Sequence, residues 1–120
     1  MPFIRVSSAK PVPAEAEQAL IDALGAALSA VPGKDPQWTM VELDAPRPMY
    51  FGGQKQADMV FLDTKYVGHF PFPRKRAYVR AACKAVHEIL GTPTDCVCVT
   101  VSEYENWGAL GDFRDINFPE

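Results

Sequence analysis

The stretch LIDALGAALSAVPGKDPQWTMVELD, residues 20–44, decides the fold. Its first part places apolar side chains at the three- and four-residue spacing of an amphipathic helix. The positions are Leu20, Leu24, Ala27, Leu28 and Val31. The pair Pro32-Gly33 then ends the helix. Trp38–Asp44 predicts a strand, with Met40 and Glu42 on one face and Val41 and Leu43 on the other.

The chain before this stretch completes a strand–helix–strand unit. Phe3–Val6 predicts a short first strand. Pro13 fits the first turn of the helix, and Glu15 and Glu17 lie near its positive end. A strand, a helix and a second strand in this order predict a β-α-β unit, whose two strands are parallel and whose crossover is right-handed.

The second half of the chain repeats the first at an offset of 58 positions. The identical pairs are Phe3 with Phe61, Ala19 with Ala77, Ala23 with Ala81, Ala27 with Ala85, Gly33 with Gly91 and Val41 with Val99. The repeat predicts a strand over Ala57–Leu62, a helix opened by Pro73 and closed by Gly91, and a strand over Cys96–Val101. We therefore predict one domain over residues 1–120, built from pseudo-repeats 2–44 and 57–102.

Two such units side by side give an α+β fold. Its four-stranded mixed sheet carries both helices on one face. The other face is then uncovered, and strands as apolar as these require burial. Packing of this face against further copies of the chain predicts a homo-oligomer.

Composition excludes several functional classes. The 120 residues are 48% hydrophobic and 22% charged, which is ordinary for a globular protein. A net charge of −3 gives no basic footprint for nucleic acid. The three cysteines have no metal-site spacing, and free thiols fit a reducing compartment. No run approaches a membrane span, and the first residues lack a signal-peptide core. We expect a cytoplasmic protein without nucleic-acid or membrane partners.

The first two residues suggest a reactive amine. Removal of Met1 before the small Pro2 would leave a secondary amine at the start of the first strand. The loop entering the parallel second strand lies at the same end of the sheet and carries Lys34. The third-strand segment Lys65–Gly68 should approach the same point. A nearby cation lowers the pKa of an amine and keeps it neutral, as a general base requires. Two simpler interpretations remain open: a chance Met-Pro start and a solvated loop lysine.

These features together resemble a known family. Met1-Pro2-Phe3-Ile4, the turn Gly33–Trp38, the run Phe51-Gly52-Gly53 and the duplicated unit are similar to the tautomerase superfamily. The length of the chain resembles the macrophage migration inhibitory factor branch. This resemblance implies a homotrimer whose three sheets form a central barrel. It also implies keto–enol tautomerisation of a 2-oxo acid such as phenylpyruvate, without a metal or organic cofactor.

The resemblance carries over to individual positions. Pro2 matches the catalytic proline, and Lys34 matches the lysine that binds the substrate carboxylate. The remaining matches are Val67, whose backbone amide would contact substrate, Trp38 as a pocket wall and Phe113 as the aromatic residue near the carboxyl terminus. The fourth strand departs from the family: Cys98 replaces a pocket tyrosine and Thr100 replaces an asparagine.

Two alternatives stay open. One is a proline-dependent hydratase, dehalogenase or decarboxylase of small unsaturated or 3-oxo acids. In that branch the proline is cationic and Arg74 would hold the carboxylate. Its water-activating acid would be Glu103, Glu105 or Asp112. The other alternative is a non-catalytic, cytokine-like binding protein that keeps the trimer and has lost the chemistry.

Overall fold

The protein, described by a computed structural model over residues 1–119, combines one central sheet with two helices and two hairpins. The strands of the sheet are β1 (Phe3–Ser8), β2 (Met40–Leu43), β5 (Val60–Val67) and β6 (Val97–Tyr104). The helices are α1 (Ala14–Leu28) and α2 (Phe72–Leu90). The hairpins pair β3 (Met49–Phe51) with β4 (Gln54–Gln56), and β7 (Asn106–Ala109) with β8 (Asp112–Asp115).

The sheet order β2-β1-β5-β6 confirms the duplicated β-α-β unit. Within each unit the strands are parallel, β1 with β2 and β5 with β6. The units meet through the antiparallel pair β1–β5. Phe3 therefore has Met40 on one side and Lys65 on the other. This register brings the start of β1, the start of β2 and the end of β5 to one edge of the sheet.

The core lies between the sheet and the two helices. Alternate strand residues meet helix residues that recur at helical spacing. Fully buried members include Ile4, Val6, Leu62 and Tyr66 from the strands, and Leu20, Leu24, Leu28, Tyr78 and Val86 from the helices. Both helices therefore cover one face of the mixed sheet, which gives the α+β fold that the sequence predicts. Neither helix within residues 1–119 is long and apolar enough to cross a bilayer.

The strand bounds differ from the sequence prediction. The second strand starts at Met40 because Asp35 accepts a hydrogen bond from the Gln37 amide, which folds Pro36–Trp38 into a short 3₁₀ turn. The third strand lies at Val60–Val67 rather than Ala57–Leu62. It continues because Thr64 and Tyr66 alternate into the core despite their hydroxyl groups. The fourth strand continues to Tyr104 because it pairs with the third strand along its whole length, as far as Val67 opposite Tyr104.

The open face of the sheet is more polar than the sequence suggests. Its central positions hold two ion pairs: Arg5 Nε lies 3.3 Å from Glu42 Oε2, and Lys65 Nζ lies 3.6 Å from Asp63 Oδ2. Phe61 is partly exposed among them. The strands alternate charged and apolar residues on this face, so its polarity is higher than the apolar content of the strands indicates.

Candidate functional site

Pro2 is fixed where the two parallel strands of the first unit begin. Its side chain is buried, whereas Met1 is exposed. The Pro2 carbonyl oxygen accepts a hydrogen bond of 2.8 Å from the Met40 amide. The strand pairing of β1 with β2 therefore sets the position of Pro2, and its nitrogen sits on a rigid element rather than on a loose terminus.

Lys34 reaches this corner from the loop between α1 and β2. Its amide donates to the Val31 carbonyl at 3.2 Å. Gly33 takes a φ of 78°, a conformation that suits glycine. The Lys34 side chain then crosses to the second unit, where Nζ donates to the Val67 main-chain oxygen at 2.8 Å. The sequence expectation that the loop and the end of the third strand converge is confirmed as geometry.

Two aromatic rings form the surroundings of the Lys34 ammonium. Nζ lies 5.1 Å from the ring centroid of Tyr66 and 5.2 Å from that of Phe70. The rings meet edge to face with centroids 5.7 Å apart. Within residues 1–119 no carboxylate forms an ion pair with Lys34. Desolvation by burial lowers the pKa of Lys34. The result is a half-buried cation held by cation–π contacts with two rings.

The amino-terminal amine, which belongs to Met1 in this structure, has a pKa below its usual value. Desolvation contributes most, and the positive charges of Lys34 and Arg114 act in the same direction. Each of these effects disfavours the protonated amine. Lys34 was a sequence prediction, whereas Arg114 was missed. It lies on β8 opposite Trp107, and neither β7 nor β8 was predicted, so nothing in the sequence brought Arg114 to this corner.

The Glu103 carboxylate binds both aromatic residues that surround Lys34. Glu103, whose side chain is 15% exposed, accepts hydrogen bonds from Tyr66 Oη at 3.0 Å, the Phe70 amide at 2.9 Å and Lys75 Nζ at 3.0 Å. Burial alone would raise the pKa of Glu103, but these three donors together lower it. The sequence indicates Glu103 only as a candidate water-activating acid, and it gives no signal for this set of contacts.

Gly68 permits the chain to fold Phe70 back towards Lys34. Its φ of 107° lies outside the range that other residues adopt readily. A Cβ at this position would stand 2.9 Å from the Phe70 ring. The Gly68 amide also donates to the Tyr104 carbonyl at 2.8 Å, which ties this turn to the end of β6.

Two openings border this corner. A cavity of about 690 Å³ is lined by Val67 and the carboxyl-terminal segment, including Phe113, Arg114, Ile116 and Phe118. A shallower cleft of about 360 Å³ is lined by Met1, Phe3 and Met40 on one side and by residues 107–110 on the other. The carboxyl-terminal hairpin therefore forms a wall beside both the amino terminus and the end of β5.

The predicted site residues divide into two groups. Lys34 is bonded to Val67, Pro2 lies at the same edge of the sheet because Phe3 pairs with Lys65, and Phe113 shares a cavity with Val67. Trp38 is 49% exposed in its turn, and Arg74 is exposed in the first turn of α2. Within residues 1–119, no side-chain hydrogen bond or ion pair joins either of them to Lys34.

The two substituted family positions lie away from this corner. Cys98 and Thr100 stand on the open face of β6. Cys98 borders a separate cavity with Phe61, and Thr100 Oγ1 lies 3.4 Å from Asp63 Oδ1. Within one subunit they contribute nothing to the surroundings of Lys34.

Comparison with known proteins identifies the fold. No family model matches the chain, and no curated protein matches it. Among solved structures, Leishmania major MIF2 superposes with a TM-score of 0.85 at 17% identity, covering 95% of this chain and 97% of its own. Pt0534 inactivated by 2-oxo-3-pentynoate gives 0.80 at 20% identity, covering 91% and 93%. A fused 4-OT asymmetric trimer gives 0.81 at 16% identity, covering 92% and 94%.

These similarities identify the fold of the chain. The chain has the β-α-β fold of the tautomerase superfamily, to which all three proteins belong. Leishmania major MIF2 has the highest TM-score of the three and shows the same fold. The resemblance seen in the sequence is thus confirmed at the level of the fold.

Proposed function

We propose that the chain, once Met1 is removed, is a cofactor-independent keto–enol tautomerase of a 2-oxo acid such as phenylpyruvate. The observation that supports this proposal is the position of Lys34, a half-buried cation without a carboxylate partner in residues 1–119, which is bonded to Val67 at the edge of the sheet where β1 begins and lies close enough to lower the pKa of the Met1 amine. A base and a cation that can bind a carboxylate suit a 2-oxo acid as substrate, because it has a carboxylate and an acidic C–H group beside its carbonyl group.

The proposed reaction moves one proton and needs no redox partner. The neutral Pro2 nitrogen takes a proton from the carbon beside the 2-oxo group. The electron pair of that C–H bond forms the carbon–carbon double bond, and the electron pair of the C=O π bond moves to the carbonyl oxygen. The protonated Pro2 nitrogen then gives its proton to that oxygen, which yields the enol and restores the neutral amine. Lys34 pairs with the substrate carboxylate throughout, which fixes the reacting carbon against the base.

The electrostatics support a neutral base. Desolvation and two cations already lower the pKa of the amine on exposed Met1. Removal of Met1 moves the amine to Pro2, which is buried, so we expect desolvation to act more strongly there. A general base works best when its pKa lies near the operating pH.

We further propose a homotrimer with a central barrel and a site at each subunit boundary. The fused 4-OT neighbour is a trimer with this fold. In this chain the hairpins leave Tyr50, Phe51, Leu110 and Phe113 exposed, although apolar side chains of this size favour burial. Sedimentation equilibrium should give three times the 13.2 kDa of the chain.

The alternatives make opposite demands on the amine. A hydratase, dehalogenase or decarboxylase using Arg74 needs a cationic Pro2, whereas desolvation, Lys34 and Arg114 all disfavour the protonated form of the amine at Met1. A cytokine-like binding protein needs no base at all.

Three expectations from the sequence stay predictions. They are the single domain over 1–120, the repeats 2–44 and 57–102, and the cytoplasmic location.

The test compares enol–keto conversion of phenylpyruvate by the wild type, Pro2→Ala and the control Pro48→Ala. Mass spectrometry first establishes that Met1 is absent. Pro48 is exposed between β2 and β3, away from the site. We expect a loss of at least about 100-fold for Pro2→Ala, the lower range for a general base, and wild-type rates for Pro48→Ala. Full activity with Met1 retained would overturn the mechanism.

A further inference from the structure

We propose that Glu103 is a positioning residue for Lys34. It holds Tyr66 by its hydroxyl group and Phe70 by its main-chain amide, and the rings of these two residues lie beside the Lys34 ammonium and direct it. The kinetic part of this inference rests on the proposed function. The structural part concerns where the Lys34 ammonium lies and is independent of any reaction.

Glu103 connects three segments that meet behind the site. Its Oε2 accepts both Tyr66 Oη from β5 and the Phe70 amide from the loop before α2. Its Oε1 accepts Lys75 Nζ from the first turn of α2. The side chain is only 15% exposed, so water competes little for these charge-assisted bonds. The same oxygen therefore sets the positions of both Tyr66 and Phe70.

Those two residues largely determine the direction of the Lys34 side chain. Its ammonium makes one hydrogen bond in the described residues, to the Val67 oxygen, and otherwise lies against the Tyr66 and Phe70 rings. An ammonium has three donors, so the remaining two are available to a ligand. Which way they point depends on the rings, and the rings depend on Glu103.

Glu103 acts through its neighbours rather than on a substrate. Its two oxygens already accept three hydrogen bonds, which occupy three of the about four acceptor sites of a carboxylate, and the side chain is only 15% exposed to water. His69 Nδ1 approaches Oε1 only at 3.8 Å, and its side chain is 56% exposed. The alternative to positioning is a purely structural ion pair with Lys75, and the two roles predict different behaviour for conservative variants.

The first experiment observes Lys34 directly by NMR, without turnover. In the wild type, the ring currents of Tyr66 and Phe70 should displace the Lys34 ε-methylene signal from its position in an unfolded chain. Glu103→Leu should abolish most of this displacement. Glu103→Gln should keep it, because an amide oxygen still accepts from Tyr66 and Phe70. Lys75→Met should also keep it, and so should the control Glu88→Leu on the exposed face of α2.

An unmoved Lys34 signal in folded Glu103→Leu would overturn the proposal. Equal loss in Lys75→Met would overturn it too, since that pattern assigns the effect to the ion pair. If Glu103→Leu does not fold, Tyr66→Phe takes its place, because it keeps the ring and removes only the hydroxyl donor. A Lys34 signal identical to wild type in that variant would equally contradict the inference.

The second experiment separates KM from kcat with phenylpyruvate. Glu103→Leu should raise KM at least about 10-fold with a smaller change in kcat, because a displaced Lys34 weakens carboxylate binding. Glu103→Gln should restore most of the lost affinity. A purely structural Glu103 would lower Tm and leave KM unchanged well below the transition, which would contradict the proposal. Absence of wild-type turnover would refute the proposed function and leave the NMR result to decide on Glu103.

Discussion

The Lys34 ammonium donates a 2.8 Å hydrogen bond to the main-chain oxygen of Val67, and this bond joins the two β-α-β units. Lys34 belongs to the loop of the first unit, whereas Val67 ends the third strand of the sheet. The antiparallel register that places Phe3 opposite Lys65 makes the bond possible. The candidate site is therefore a property of the duplicated fold, since neither unit alone holds both the amine and its surroundings.

Replacement of Lys34 by Met should affect both binding and pH dependence. We expect KM for phenylpyruvate to rise at least about 10-fold, because the carboxylate loses its cation. The lysine charge also lowers the pKa of the amine. Activity requires the neutral amine and appears as pH rises through that pKa. The acidic limb of kcat/KM should therefore move to higher pH.

Two variants control for this effect. Lys34→Arg keeps the charge and should move the acidic limb less than Lys34→Met does. Lys55→Met removes an exposed lysine from the β3–β4 hairpin and should leave the profile unchanged. An acidic limb that stays in place in Lys34→Met would show that Lys34 does not influence the base.

The sequence was sufficient to predict the sheet and the approach of the Lys34 loop to the end of the third strand. Helical and strand periodicity, the repeat and the β-α-β crossover are local or topological signals, and they determine which ends of elements meet. They do not determine side-chain contacts between distant segments. In the sequence, Glu103 cannot be told from a solvated acid. Its contact with Tyr66 follows only from the extension of β6 past Val101.

The carboxyl-terminal hairpin escaped prediction for a related reason. Its turn needs Leu110 at a φ of 55° and Gly111 at 77°. A non-glycine residue in that region carries no strong sequence signal. Without the hairpin, neither Arg114 nor the wall formed by residues 107–110 is placed beside the amino terminus. Phe113 was predicted from the resemblance alone, and its contact with a cavity depends on the same turn.

Gly68→Ala should destabilise the protein through a specific contact. The new Cβ would meet the Phe70 ring at 2.9 Å, and the φ of 107° adds backbone strain. We expect a loss of about 2–4 kcal/mol in the free energy of unfolding, measured with urea. The matched control is Gly91→Ala, where φ is 78° but nothing lies within 4 Å of the Cβ. Gly91→Ala should cost only about 1–2 kcal/mol. Equal losses in the two variants would argue against a role for the Phe70 contact.

The buried hydroxyl pair Thr64–Tyr78 should show strong coupling. Thr64 Oγ1 and Tyr78 Oη lie 2.6 Å apart, and both residues are fully buried. Burial raises the pKa of Tyr78 to about 12, so the phenol stays neutral across the working range. Tyr78→Phe should cost about 1–3 kcal/mol, because it leaves the Thr64 hydroxyl buried without its partner.

A double-mutant cycle measures this coupling. Thr64→Val removes the remaining hydroxyl with little change in shape, so Thr64→Val combined with Tyr78→Phe should cost less than the sum of the single changes. We expect an interaction energy of about 1 kcal/mol, obtained from urea unfolding of all four proteins. Strict additivity would mean that the 2.6 Å contact contributes nothing to stability.

Glu103 should make stability depend on pH in the acid range. Hydrogen bonds from Lys75, the Phe70 amide and Tyr66 outweigh burial and lower the pKa of Glu103 in the folded state. A carboxyl group whose folded pKa is depressed stabilises the protein above its unfolded pKa of about 4.3. This contribution is lost as pH falls through the folded pKa.

The measurement compares urea unfolding of the wild type and Glu103→Gln between pH 7 and pH 3. At pH 7 we expect the wild type to be more stable by on the order of 1 kcal/mol, because its hydrogen bonds involve a charged acceptor. Below pH ~4 the difference should shrink, since the wild-type carboxyl becomes protonated. The exposed control Glu88→Gln should show a small and nearly constant difference. If the Glu103→Gln gap stayed the same from pH 7 to pH 3, the negative charge on Glu103 would not be what stabilises its three donors, and neutral hydrogen bonds would be enough to hold Tyr66 and Phe70.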